Sequence, residues 1–138
     1  EDEYTVSYTA SEASVLVVDD NDINRKVVRG LLKQTGIKVY EAESGRKCID
    51  MVAERRFDII FLDGMMPVMD GYQALMGIRN LEKERNIPKE KQAKIIMATA
   101  LNDEKNVKMA FELGCTVYSG KPIDQEKFEQ VLKKFGLI

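Results

Sequence analysis

Five side chains carry the chemistry open to this sequence: Asp19, Asp20, Asp63, Thr99 and Lys121. Asp19 and Asp20 follow the apolar run VLVV, Asp63 follows IIFL, Thr99 follows KIIMA, and Lys121 follows VYSG. If each run is a strand of one open α/β sheet, all five stand at strand carboxyl ends, where ligands of such sheets collect. Three acids held together repel one another, and a divalent cation with oxygen ligands is the simplest way to keep them ionised. Magnesium is the natural candidate. A hard ion held by few protein groups keeps positions open for phosphate oxygens, and a Lys ammonium and a Thr hydroxyl suit the same oxygens.

The 138 residues include no His. That removes Ser-His-Asp and Cys-His pairs, His-ligated zinc and a phosphohistidine within the chain. A carboxylate is the remaining nucleophile in the set, and Asp63 is favoured because it stands alone while Asp19 and Asp20 are paired for metal. Aspartate attack on phosphorus gives an acyl phosphate, reached by positioning and charge neutralisation. Each residue alone has a plainer reading. Asp19-Asp20 suits a turn or helix cap, Thr99 a cap for a helix near Asn102, and Lys121 before Pro122 an ordinary loop. Their joint order, each group at a strand end, favours one site.

The elements that must position them alternate along the chain. Val15–Val18 and Ile59–Leu62 are apolar at every position, as strands covered on both faces are. Lys38–Glu41, Lys94–Ala98 and Thr116–Ser119 are weaker strand candidates. Between them the period turns helical. Ile23, Val27, Val28, Leu31 and Leu32 fall on one face closed by Gly36. Cys48, Ile49 and Val52 follow a Ser44 cap, and Leu75 and Ile78 follow Gly71. Val107, Ala110 and Phe111 lie between Asn102 and Gly114, and Phe128, Val131, Leu132 and Phe135 follow an Asp124 cap. The pattern predicts an α/β fold, a single doubly wound (βα)5 domain with a five-stranded parallel sheet. The strand order 2-1-3-4-5 is carried over from the flavodoxin-like group. Residues 1–13 form a polar lead-in that reads as a linker, and 14–138 the domain. Leu81–Lys94, with eight charged residues in fourteen and Pro88 within it, reads as the end of an extended third helix running into an exposed loop.

Composition limits the partners. With 44% apolar and 32% charged residues the chain has the balance of one soluble domain, large enough to fold without disulfides. Lys and Arg number 21 against 23 Asp and Glu, with pI about 5.3, so no basic field draws nucleic acid. Cys48 and Cys115 lack metal-site spacing and read as small buried hydrophobes in a reducing compartment. No apolar stretch is long enough to span a membrane, and the acidic start is unlike a signal peptide. The expected location is cytoplasmic.

The stretches VLVVDDNDINRKVV at 15–28, DIIFLDGMMPVMDGYQAL at 58–75, KIIMATA at 94–100 and VYSGKPI at 117–123 resemble the receiver domain of two-component response regulators, with its CheY-like fold. The resemblance runs from about Ser14 to the C-terminus. It implies that Asp63 is the phosphoacceptor, that Asp20 ligates magnesium directly and Asp19 partly through water, and that the Met65 carbonyl completes the protein's share. It also implies that Thr99 moves to the phosphoryl group, that Tyr118 packs inward as it does, and that Lys121, before a cis Pro122, bridges to it. The phosphodonor would be a histidine kinase or a His-containing phosphotransfer domain. The output would be a protein bound at the helix 4–strand 5–helix 5 face.

The run Asp19 to Asn24 is most similar to receivers attached to hybrid histidine kinases, while AKIIMATALNDEKNV also resembles free-standing regulators. The domain itself would accept phosphate without being a turnover enzyme. Met65 and Leu101, two residues beyond Asp63 and Thr99, are apolar and cannot orient an attacking water, so a long-lived phosphoryl group is expected. Gly64 after the acceptor, Ser119 in the fifth strand and the long loop before the fourth depart from the family pattern. Rival readings are a flavodoxin-like nucleotide or flavin binder, a magnesium-dependent aspartyl phosphatase, and a module of this fold that no longer accepts phosphate. The first needs a Gly-rich phosphate loop where Asp19-Asp20-Asn21-Asp22 stands, and the second needs an acid at Met65.

Overall fold

The computed structural model describes residues 13–99, 104–120 and 125–135. Strands and helices alternate: β1 (Ser14–Val18), α1 (Asp22–Leu32), β2 (Lys38–Ala42), α2 (Gly45–Glu54), β3 (Ile59–Asp63), α3 (Gly71–Glu84), β4 (Lys94–Thr99), α4 (Glu104–Leu113), β5 (Val117–Gly120) and α5 (Gln125–Lys134). The strands form one parallel sheet of order β2-β1-β3-β4-β5, as expected. Its register sets Val18 beside Leu62 and Asp63 beside Ala98, so β1, β3 and β4 end close together.

Successive strand residues point to opposite faces, and both faces are apolar. Leu16, Ile60, Leu62 and Met97 pack with Cys48 of α2, Leu75 and Ile78 of α3 and Ala110 of α4. Val15, Val17, Phe61 and Ile96 pack on the other side with Leu32 of α1 and Phe128 and Leu132 of α5. Full burial of one such side chain contributes about 1.5–3 kcal/mol, so the two cores fix the plane from which the site residues project.

Caps start the helices. Asn21 accepts the N–H groups of Ile23 and Asn24, and Ser44 accepts that of Lys47. Asp70 and Gln73 form a capping box at α3, a start that sequence reasoning did not single out. The predicted Asp124 cap and Asn102 lie outside the described residues. At the end of α1 a short 3-10 turn, Lys33–Thr35, intervenes before Gly36, which takes the left-handed conformation at φ 77°.

Three sequence expectations need correction. Ile23 and Val27 are 69% and 50% exposed, because α1 contacts the sheet through Val28, Leu31 and Leu32 and its wider apolar stripe overruns that contact. Phe111 is likewise exposed, since Ala110 is the α4 residue that meets the core. Within the charged Leu81–Lys94 stretch, Glu82 is buried rather than solvated. Its carboxylate accepts Arg79 Nη1 at 2.7 Å and the Ala93 N–H at 2.8 Å. Arg79 also donates to the carbonyls of Ala93 and Gly114, so this ion pair ties α3 to the start of β4 and the turn before β5.

Candidate functional site

The first βα turn is built by its own polar groups. Asp19, buried at the end of β1, accepts the Asn21 N–H at 2.9 Å, which turns its carboxylate toward the sheet end as the chain enters α1. Its main-chain carbonyl accepts Arg25 Nη1 at 2.7 Å, while Arg25 Nε reaches Glu41 of β2 at 3.1 Å. Arg25 thus braces the turn from behind. Sequence reasoning missed this role, because an Arg one turn into a helix reads as a solvated surface residue. Asp20 beside it is exposed.

Asp63 is the last residue of β3 and is buried, with Oδ1 accepting the Met65 N–H at 3.1 Å. Its carboxylate therefore has a fixed direction, and the Met65 peptide is anchored to it. One carboxylate oxygen from each of Asp19, Asp20 and Asp63 lies within 4.8 Å of the others. The donor set is all oxygen, with two of the three acids withdrawn from solvent, and oxygen-only carboxylate clusters suit a hard divalent cation.

Thr99 closes β4, fully buried, one residue beyond Ala98, the register partner of Asp63. Gly64 explains itself here. A Cβ at that position would stand 2.8 Å from the Thr99 Cβ and 3.0 Å from its Oγ1, so the residue after Asp63 is small where Thr99 approaches. Tyr118 of β5 is half-buried against the α3 side core, with its hydroxyl 3.4 Å from that of Tyr72. Ser119, the departure noted in β5, is buried and its hydroxyl donates to the Gly120 carbonyl. Lys121, Pro122 and Leu101 lie outside the described residues, so the geometry unites Asp19, Asp20, Asp63 and Thr99 at one end of the sheet.

A doubly wound sheet with an acid cluster at its carboxyl edge defines a class, the CheY-like signalling domains. The family model of the response regulator receiver domain matches residues 15–133, and the chain belongs to that family. It is 35% identical over 128 residues to hybrid signal transduction histidine kinase A of Dictyostelium discoideum, an alignment that takes in 92% of this chain. The chain spans 6% of that relative's length. Among solved structures it resembles the receiver domain of the Arabidopsis thaliana histidine kinase CKI1 complexed with Mg2+, at 30% identity and TM-score 0.78, covering 90% of this chain and 92% of that one. It also matches, at 26% identity and TM-score 0.82 over 90% of this chain and 88% of the other, the co-crystal structure of the Saccharomyces cerevisiae phosphotransfer protein Ypd1 with the receiver domain of Ssk1.

Proposed function

We propose that this receiver domain takes a phosphoryl group from a phosphohistidine onto Asp63, with magnesium bound by Asp19, Asp20, Asp63 and the Met65 carbonyl. The approach of three carboxylate oxygens within 4.8 Å carries the reading, because such a cluster gains from a cation that a phosphoryl group can share. Magnesium, when bound, would neutralise charge on the acids and on the transferring group. A carboxylate oxygen of Asp63 attacks phosphorus, the P–N bond to the donor imidazole breaks, and the departing nitrogen takes a proton. An acyl phosphate remains on Asp63. The Met65 N–H, donating to Asp63 Oδ1, holds one oxygen of the carboxylate in place. Thr99 supplies a hydroxyl to the phosphoryl oxygens, and Lys121 an ammonium. Tyr118 follows Thr99, and the helix 4–strand 5–helix 5 surface changes with it.

The donor we assign is a histidine kinase or a His-containing phosphotransfer domain, and the parent chain a hybrid histidine kinase acting in the cytoplasm. Likeness to a receiver crystallised with a phosphotransfer protein and to a hybrid kinase supports this. Among the described residues no helix is long and apolar enough to cross a membrane. Intact-mass measurement after treatment with acetyl phosphate and magnesium tests the reading. One phosphoryl adduct on the wild type and none on Asp63→Asn is the expected result. An unmodified wild type, or an adduct that survives in Asp63→Asn, refutes it.

A further inference from the structure

Tyr72, the second residue of α3, has no part in the chemistry described above, yet it is 7% exposed and its hydroxyl meets that of Tyr118 at 3.4 Å. The residue before it, Gly71, is wedged against the acceptor: a Cβ there would lie 2.0 Å from the Asp63 carbonyl oxygen, and the Gly71 N–H donates to Gly64 at 3.3 Å. On β5, Tyr118 pairs in register with Met97, two residues before Thr99. Asp63, Gly71, Tyr72 and Tyr118 thus form a run of close contacts from the acceptor to the fifth strand.

We propose that Tyr72 is a positioning residue for the switch: its hydroxyl holds Tyr118 on the α3 side of the sheet and sets how far Tyr118 responds to a phosphoryl group on Asp63. The inference rests on the phosphoacceptor reading. The hydroxyl pair is longer than the 2.7–2.8 Å typical of O–H···O bonds, so a small shift of α3 or β5 tightens or releases it. A link of this kind biases two side-chain arrangements without locking either. Tyr72→Phe keeps the ring and removes the hydroxyl that meets Tyr118.

The chain has five tyrosines, so uniform 3-fluorotyrosine labelling gives a tractable 19F spectrum, with the Tyr118 signal assigned by Tyr118→Phe. Spectra are taken before and after acetyl phosphate with magnesium, with adduct yield read by intact mass. In Tyr72→Phe we expect wild-type adduct yield but a displaced Tyr118 signal, its conformer ratio changed about twofold, the low end of what one hydrogen bond contributes, as its length implies. A melting cycle of Tyr72→Phe, Tyr118→Phe and the double variant should be non-additive. A Tyr118 signal and phosphorylation response identical to wild type, or strict additivity, overturns the proposal and leaves the phosphoacceptor reading standing. A wild type that forms no adduct removes that reading, and the role in the switch with it.

Discussion

The α carbon of Gly71 faces the main chain of Asp63 so closely that a methyl group on it would stand 2.0 Å from the Asp63 carbonyl oxygen. Helix α3 therefore begins in contact with the main chain of Asp63, and backbone cannot move aside as a flexible side chain does. Gly71→Ala is expected to cost about 3 kcal/mol or more, the upper range for overpacking, and to slow phosphorylation by shifting Asp63. Urea unfolding and the acetyl phosphate reaction, measured on the same protein, check both effects. A variant with wild-type stability contradicts the contact.

Removal of one carboxylate from the acid trio should weaken magnesium. At 4 Å and an effective dielectric near 20, one pair of unit charges attracts by about 4 kcal/mol, much of it cancelled by hydration. Asp20→Asn, at the exposed member of the trio, should therefore lower affinity at least about tenfold with little change in folding. Isothermal titration suits the measurement, since the chain has no Trp to report binding by fluorescence.

Ile23, in the first turn of α1, is 69% exposed, and Val68 in the loop after β3 is fully exposed. Both follow closely in sequence on the acids of the site. If a phosphodonor protein covers this end of the sheet, Ile23→Lys should slow transfer from a phosphorylated phosphotransfer domain several-fold. Its rate with acetyl phosphate should stay at the wild-type value. Equal loss with both donors would show damage to the site itself.

Buried Glu82 pairs with half-buried Arg79 at 2.7 Å, at the end of the sheet where β4 begins. Glu82→Ala leaves the Ala93 N–H without its acceptor and the half-buried guanidinium without its carboxylate, at a cost of about 2 kcal/mol, and Glu82→Gln about half of that. Thermal unfolding should separate the two variants. Adduct formation at the far end of the sheet should persist in the folded fraction.

Burial pushes the Cys48 thiol up from 9.0 to about 12, and raises Cys115 from 9.0 to about 11, with nearby Arg79 partly offsetting the rise. The folded chain holds these protons more tightly than the unfolded one. Their contribution is thus whole below about pH 9 and is lost as pH rises toward 11 and 12. Denaturant midpoints should fall above pH 9 and fall less in Cys48→Ala. Iodoacetamide at pH 8 should leave both thiols unmodified until the chain unfolds.

The strands and the acids at their ends were legible one element at a time. A run such as Ile59–Leu62, apolar at every position, specifies a doubly covered strand, and an Asp directly after it stands at the carboxyl edge of any parallel sheet. The Ser44 cap was legible from its spacing, and Asn21 and Asp70, not singled out in the sequence, cap their helices in the same local way.

What spacing could not convey are relations between residues far apart in the chain. The burial of Glu82 depends on Ala93 and Arg79, the brace at Arg25 on Glu41, and the size of residue 64 on Thr99 across the next strand. Ile23, Val27 and Phe111 have the right period for a core face, yet the width of the helix-to-sheet contact leaves them in solvent. Periodicity states which side chains share a face. How much of that face another element covers, and which distant hydroxyl or carboxylate it meets, follows from the packing of the whole chain.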